Sequence, residues 1–219
     1  PLYSYNDGKI EWGLAESLEP SADNLSYILK LKPNLKWQDG QPITAADVVF
    51  TFDKLLDEKQ HSFFRSMFMF GGKPVQVSKV DDLTVKFTLP QVSAAFVGTL
   101  VQIYPIPQHV FANESDLEKS SKNDAPVGSG PFKFKEYRAG QYYALTRFDD
   151  YWNGKAKLDS VTYRFAKDSN SANLALQNGE INLKMVDPQD VSRLTKTDKF
   201  NFVVYPEGRL AYMTFNQNV

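Results

Sequence analysis

Two segments in the first half of the chain alternate apolar and polar residues with a period of two. In residues 26–31, Tyr27, Leu29 and Leu31 share one face. Residues 83–89 alternate in the same way and end at Pro90, which cannot donate a ladder hydrogen bond. Because successive side chains of a strand point to opposite faces, both segments are predicted to be half-buried strands.

The clearest predicted helix begins after Thr44, a favourable N-cap residue, with Asp47 in the position of a capping box. The apolar residues that follow recur at helical spacing on one face: Val48, Val49, Phe52, Leu55 and Leu56. An aromatic and methionine cluster occupies residues 61–70 and ends at two glycines. A second, shorter helix is predicted at residues 94–102. The first part of the chain is therefore a mixture of strands and helices.

After Gly128 the pattern changes. Residues 132–137 and 142–148 are predicted strands of one hairpin. Further strands are predicted at residues 161–165, 181–185, 200–205 and 210–215, and helices start after Asp168 and at Pro188. Strands that alternate with helices indicate an α/β layer with crossover connections, whereas the earlier part is α+β. We therefore predict a domain boundary near Gly128.

Composition narrows the function. The chain has 219 residues, a net charge of -1 and no cysteine, so it offers no basic surface for nucleic acid, no disulfide framework and no thiol nucleophile. No window approaches the ~18 consecutive apolar residues of a membrane span. Aromatic residues make up 14%, which suits a large core or a cleft that grips ligands by apolar contact. The chain opens and closes in the middle of its pattern, so we expect it to be a segment of a longer protein.

No pattern in the sequence points to catalysis. Residues 128–130 resemble a phosphate loop or a nucleophile elbow, but Pro131 removes the next donor and a strand follows instead of a helix. Neighbouring acids such as Asp81 and Asp82 point to opposite faces of an extended chain and cannot flank one bond. His61 and His109 lack metal-ligand spacing. We therefore predict no enzyme, no metal site and no cofactor.

Four motifs together carry a family resemblance. They are the turn and helix start at residues 35–48, the glycine-proline turn at 127–134, the aromatic corner at 147–152 and the turn at 178–181. In this order and spacing the chain resembles the extracytoplasmic solute-binding proteins of the peptide/nickel class (family 5), which serve ABC importers. The resemblance implies a periplasmic-binding-protein type II-like fold with two lobes that close on a ligand.

The resemblance also implies a division of the chain. Residues 13–128 would form an α+β domain inserted in the first lobe. Residues 1–12 and 129–219 would form part of the main α/β domain of that lobe. The second lobe would be absent from this sequence.

The resemblance further suggests which residues contact the ligand. The segment after the opening strand would contribute Leu2 and Tyr3, and the end of the last first-lobe strand would contribute Tyr212 and Asn216. The aromatic cluster of the inserted domain would add Phe68 and Phe70. An asparagine amide can both donate to and accept from a peptide backbone, and aromatic or methionine walls accept varied side chains.

The function implied is capture of oligopeptides outside the cytoplasm, in the periplasm or on the outer face of the membrane as a lipoprotein. The captured ligand would pass to the membrane subunits of an ABC permease, and we expect a monomer. A nickel or metal-chelate importer component and a peptide-pheromone receptor of the same fold stay open as alternatives.

Overall fold

A computed structural model describes residues 1–197 and 199–204 of the chain. The chain forms two compact units, Pro1–Tyr163 and Arg164–Val219, and the described part of the second comprises residues 164–197 and 199–204. Among the described residues, no helix is both long enough and apolar enough to cross a bilayer.

The helices and strands are numbered here in chain order. The strands are β1 (Tyr3–Asn6), β2 (Lys9–Trp12), β3 (Ala15–Pro20), β4 (Ser26–Leu31), β5 (Met69–Phe70), β6 (Lys73–Pro74), β7 (Gln76–Lys79), β8 (Thr84–Thr88), β9 (Phe132–Arg138), β10 (Tyr142–Arg147) and β11 (Ser160–Arg164). The α-helices are α1 (Ala45–Leu56), α2 (Phe96–Leu100), α3 (Gln108–Phe111), α4 (Ser169–Gln177) and α5 (Pro188–Leu194). Short 3₁₀ turns occupy Glu58–Gln60, Arg65–Phe68, Ser121–Asp124 and Thr195–Thr197.

The main core of the first unit lies on one face of a four-stranded antiparallel sheet, ordered β3-β4-β8-β7. The predicted alternation of β4 is confirmed, because Tyr27, Leu29 and Leu31 are buried whereas Lys30 is exposed. Strand β8 likewise buries Val85 and Phe87 in the same core cluster. The period of two in the sequence therefore places the apolar face of each strand against the core.

Helix α1 packs on this core and begins as predicted. The Thr44 hydroxyl accepts a hydrogen bond from the Ala46 N–H, and the Asp47 carboxylate accepts one from the Thr44 N–H at 2.8 Å. Val48, Phe52 and Leu55 of the predicted apolar face are buried. Phe50 is also buried, so α1 is covered on more sides than an amphipathic helix on a flat surface would be.

The opening hairpin of β1 and β2 joins this core through Gly13. The backbone N–H of Gly13 donates to the Leu2 carbonyl at 3.0 Å, and the N–H of Ala15 donates to the same oxygen at 2.9 Å. A Cβ on residue 13 would lie 2.4 Å from the Pro1 carbonyl oxygen. This close approach of two backbone segments requires glycine at residue 13.

A three-stranded sheet follows residue 128, in the order β11-β10-β9. The predicted hairpin of β9 and β10 is confirmed, and its turn places Gly140 in the left-handed region. The register shifts between Ala144 and Leu145, so two aromatic residues three positions apart, Phe134 and Tyr137, both contact the ring of Tyr143. A β-bulge of this kind re-aims the side chains that follow it.

In the second unit the two predicted helices are confirmed. Asp168 caps α4 by accepting from the Ser171 N–H at 2.7 Å, and Pro188 begins α5. The predicted strand at residues 181–185 is wrong, because these residues form no ladder in the described structure. Residues 200–204 form none either, and Tyr205 together with the predicted strand at 210–215 lies outside the described residues. A strand is held in a sheet by hydrogen bonds to a neighbouring strand, and no described segment pairs with residues 181–185 or 200–204.

The first unit runs across the predicted boundary at Gly128. Val127 on one side of the boundary and Trp152 on the other both pack against the main core cluster. The division into an inserted domain at 13–128 and a main domain at 1–12 and 129–219 stays a prediction.

Candidate functional site

The opening segment lies inside the first unit. Leu2 and Tyr3 have no exposed surface and belong to the main core cluster. The Tyr3 hydroxyl donates to the Val97 carbonyl at 2.6 Å, and burial raises the pKa of this phenol above its ordinary value. The side chains of Leu2 and Tyr3 therefore stabilise the core in this structure, and their contact with ligand stays a prediction.

The two aromatic residues predicted from the central cluster are also interior. Phe68 contacts Phe52 edge-to-face at a centroid distance of 5.1 Å, and Phe70 contacts Phe96 at 6.3 Å. Both are core residues, with at most 8% of their surface exposed. Tyr212 and Asn216, the remaining predicted ligand residues, lie outside the described residues.

The outward face of the same cluster is formed by residues that the sequence analysis did not select. Phe63 is 80% exposed and Met67 41% exposed, and the Phe63 ring contacts the partly buried ring of Phe64 at 5.6 Å. The turn Arg65–Phe68 is 3₁₀, with three residues per turn, so it points Phe68 inward and leaves Met67 outward. Sequence reasoning had no periodic signal in this run of aromatic residues.

A cleft of about 330 Å³ lies in the first unit and includes Phe64 in its lining. Its apolar walls are Leu55, Phe64, Ile103, Tyr104, Ile106 and Leu117. This volume is at the lower end of the ~300–1,000 Å³ typical of small-molecule sites. The cleft is large enough for one apolar side chain or a small apolar group.

Polar side chains beside the cleft hold its walls in place. The Thr51 hydroxyl accepts from the Ile106 N–H at 2.9 Å, and the Lys54 ammonium donates to the Glu114 carbonyl at 2.7 Å. The Gln60 amide donates to the Ser115 carbonyl at 2.8 Å and accepts from the Leu117 N–H at 3.1 Å. Because these groups bond to the loop backbone, the contacts that remain for a ligand are mostly apolar.

The two histidines have structural surroundings. The His109 ring lies 2.6 Å from the Asp39 carboxylate, and His61 ends the turn Glu58–Gln60 with a positive φ. Burial pushes the pKa of Asp39 upward, but hydrogen bonds from His109 and from the Gln41 backbone bring it below its ordinary value. Within residues 1–197 and 199–204, no three His, Cys, Asp or Glu side chains cluster as a metal site would require.

A cationic group lies among aromatic residues near the opening hairpin. The Lys32 ammonium lies 3.8 Å from the centroid of the Trp152 ring and donates to the Trp12 carbonyl at 3.1 Å. Burial lowers the pKa of Lys32, opposed by the charge of Glu16. A cation this close to an indole face is stabilised by the ring quadrupole, and here it connects the hairpin to the aromatic corner.

The chain is similar to several solute-binding proteins. It is 34% identical over 225 residues to the oligopeptide-binding protein AppA of Bacillus subtilis, covering 99% of this chain but 41% of AppA. The solved structure of AppA in complex with a nonapeptide matches with a TM-score of 0.79, over 91% of this chain and 43% of that one. The chain thus spans about two fifths of the length of the curated relatives it matches.

Two further solved structures match most of the described fold. The ABC transporter substrate-binding protein CtaP from Listeria monocytogenes is 55% identical with a TM-score of 0.86, over 90% of this chain and 40% of that one. NikZ from Campylobacter jejuni, solved in complex with Ni(L-His), is 27% identical with a TM-score of 0.82, over 90% of this chain and 39% of that one. The mixed α/β fold is therefore that of periplasmic solute-binding proteins, as the sequence predicts.

The sequence profile of the bacterial extracellular solute-binding proteins, family 5 Middle, matches residues 9–219. Because this match covers nearly the whole sequence, the chain belongs to the bacterial extracellular solute-binding proteins of family 5.

Proposed function

We propose that this chain forms one side of the ligand cleft in the substrate-binding component of an ABC importer, and that the ligand is an oligopeptide. The observation that carries the proposal is the exposure of the apolar side chains of Phe63 and Met67, together with the contact of the Phe63 ring with Phe64, which lines the cleft. Aromatic and thioether side chains accept many different apolar side chains without fixing one of them. The relatives named as oligopeptide-binding proteins support the same ligand class.

In this proposal the peptide lies along the Phe63–Met67 face and places an apolar side chain in the 330 Å³ cleft. The loaded protein then delivers the peptide to the membrane subunits of the permease. The site of capture is outside the cytoplasm, as the family description implies. In this proposal the described part of the chain supplies packing and a binding surface, and its role is binding and not catalysis.

Native mass spectrometry of the protein expressed from its complete gene and purified without refolding tests this function. We expect a heterogeneous series of short-peptide masses bound to the protein. A single bound mass corresponding to a metal chelate would contradict peptide capture. Refilling the emptied protein with a nonapeptide, followed by calorimetry, gives the affinity directly.

A nickel chelate is the second candidate ligand, because the fold matches NikZ, which was solved with Ni(L-His), at a TM-score of 0.82. Calorimetry with Ni²⁺ and L-histidine, against L-histidine without the metal, distinguishes this candidate. Binding that requires both components and excludes the nonapeptide would favour metal uptake over peptide uptake.

Shortening the outward face is expected to weaken peptide binding. Phe63→Ala and Met67→Ala each remove exposed apolar surface and leave the core untouched, so the peptide Kd is expected to rise about five- to tenfold, as for a moderate interface contact. Val92→Ala is the matched control, since Val92 is 59% exposed and lies outside the 61–70 cluster. Equal affinities for the Phe63 and Val92 variants would exclude this face from the binding site.

A further inference from the structure

The side-chain amide of Gln38 is bonded to three backbone groups of one segment 90 or more residues away in the sequence. Its oxygen accepts from the Gly128 N–H at 3.0 Å. Its nitrogen donates to the carbonyls of Gly130 and Phe132 at 3.0 and 2.8 Å. The backbone N–H of Gln38 also donates to the Gly128 carbonyl at 2.9 Å. The acceptor of the amide thus faces a donor, and its donors face two acceptors.

The turn that carries Gln38 is itself held by the core. Leu35, Trp37 and Ile43 are buried, with at most 2% of their surface exposed. The Trp37 N–H donates to the Gln41 carbonyl at 2.8 Å, and the Ile43 N–H donates to the Leu35 carbonyl at 2.9 Å. Gln38 therefore projects from a rigid base and has little freedom to follow a moving partner.

The segment on the other side is equally constrained. The Pro131 carbonyl accepts from the Phe148 N–H at 2.9 Å, and the segment continues directly into β9. A Cβ on residue 128 would lie 3.3 Å from the Gln38 amide oxygen, which is closer than ordinary contact. Glycine at residue 128 therefore permits the amide to approach the backbone and does not act as a flexible link here.

Two further contacts cross the same boundary. The Lys32 ammonium lies against the Trp152 ring, and the Lys36 ammonium lies 3.1 Å from the Asp150 carboxylate. Both partners of the Lys36–Asp150 pair are about half exposed, so that pair adds little. The four hydrogen bonds of Gln38, of which the three side-chain bonds are partly buried, are the stronger connection.

We infer that Gln38 is a positioning residue that fixes the segment 13–128 to the β9–β10 sheet as one rigid body. The glycine-proline turn at residues 128–131 is then a clamped junction and not a hinge. A consequence, which rests on the proposed function, is that the Phe63–Met67 face keeps its position relative to this sheet when peptide binds. Cleft closure must then occur elsewhere in the protein.

Distance measurement by double electron–electron resonance tests the clamp. The sequence has no cysteine, so spin labels can be attached to Val92→Cys and Lys135→Cys, two exposed positions on opposite sides of the junction. The measurement uses the full-length protein, in which any cysteine outside these 219 residues is first replaced by serine. We expect one narrow distance distribution that peptide leaves unchanged.

Variants at Gln38 should broaden that distribution without peptide. Gln38→Ala removes the three side-chain bonds, and Gln38→Glu keeps the shape but places a carboxylate oxygen against the carbonyls of Gly130 and Phe132. Gln41→Ala is the matched control, because Gln41 is an exposed glutamine in the same turn. An unchanged distribution in both Gln38 variants, or a wild-type distribution that is already broad, would overturn the clamp.

Hydrogen exchange of the unmodified protein gives an independent answer if a variant fails to fold. The amides of Gln38 and Gly128 are expected to be protected like those of β9. Gln38→Ala, which removes the acceptor of the Gly128 N–H, is expected to lower the protection of Gly128 about tenfold. Fast exchange of both amides in the wild type would contradict the inference. Absence of peptide binding would contradict the proposed function but leave the peptide-free measurements valid.

Discussion

Replacing Phe96 by alanine is expected to lower the free energy of unfolding by about 3–5 kcal/mol, the range for a fully buried phenylalanine. Phe96 has no exposed surface, and its ring lies 4.8–6.4 Å from the rings of Tyr27, Phe68, Phe70 and Phe87. Alanine removes edge-to-face contacts with Phe68, Phe70 and Phe87 and a tilted contact with Tyr27, and it leaves a cavity in the core. Urea unfolding followed by circular dichroism measures the change.

The chain offers a matched control for this prediction. Phe63→Ala makes the same chemical change at a residue that is 80% exposed, so its effect on stability is expected to stay within about 0.5 kcal/mol. Phe96→Leu leaves a smaller cavity than Phe96→Ala, so its loss of stability is expected to lie between those of Phe96→Ala and Phe63→Ala. Equal losses for Phe96→Ala and Phe63→Ala would mean that Phe96 is not the centre of this core.

Asp47→Ala is expected to cause the second largest of the predicted losses, lowering the free energy of unfolding by about 3 kcal/mol. The buried carboxylate accepts from the Thr44 N–H at 2.8 Å and from the Gln108 N–H at 2.9 Å. Each partner left without an acceptor costs roughly 1–3 kcal/mol, and bonds to a charged acceptor are the stronger kind. Asp47→Asn retains one acceptor oxygen and is expected to lose about half as much. Thermal unfolding of both variants tests this order.

Asp53→Ala is the control on the same helix. Asp53 lies at the surface, and the partial loss of solvent around its carboxyl raises the pKa of that group, so folding does not stabilise the ionised form. We expect a change within about 0.5 kcal/mol. A large loss for Asp53→Ala and a small one for Asp47→Ala would show that the capping box and the bond to Gln108 contribute little.

Asp47 also shows which contacts can be predicted from the sequence and which cannot. The spacing of Thr44 and Asp47 is a local signal, and the predicted capping box is present in the structure. The second oxygen of the same carboxylate binds the Gln108 N–H, which lies 61 residues further along the chain. Nothing in the local pattern indicates this long-range contact, because it depends on how α3 folds back onto α1.

The aromatic cluster shows the same limit for the candidate site. The sequence shows a run of aromatic and methionine residues, but it does not show which of their side chains face solvent. The predicted ligand residues Phe68 and Phe70 are buried in the structure. The 3₁₀ turn at Arg65–Phe68 sets those directions, and such a turn has no sequence period of its own over four residues. The outward residues Phe63 and Met67 could be identified only from their exposure in the folded chain.

The predicted strands at 181–185 and 200–205 show the same limit of sequence-based prediction in the second unit. Their alternation is visible in the sequence, and Leu183 and Met185 are exposed in the structure. Alternation records which faces a strand would have, whereas a strand forms when a neighbouring backbone completes its hydrogen bonds. Within the described residues that neighbour is not present for residues 181–185.

The sequence by itself determined the elements that depend on neighbours a few residues away: the alternation of β4 and β8, the start of α1, the β9–β10 hairpin, the Asp168 cap of α4 and the start of α5 at Pro188. It also carried the ordered motifs by which the family can be recognised. Only the tertiary structure decided that Gln38 joins the turn at residues 35–43 to Gly128, because one amide can meet three distant backbone groups only after both segments have packed. Local patterns follow from the geometry of strands, which repeats every two residues, and of helices, which repeats every three to four. Long-range contacts follow from the packing of the whole core.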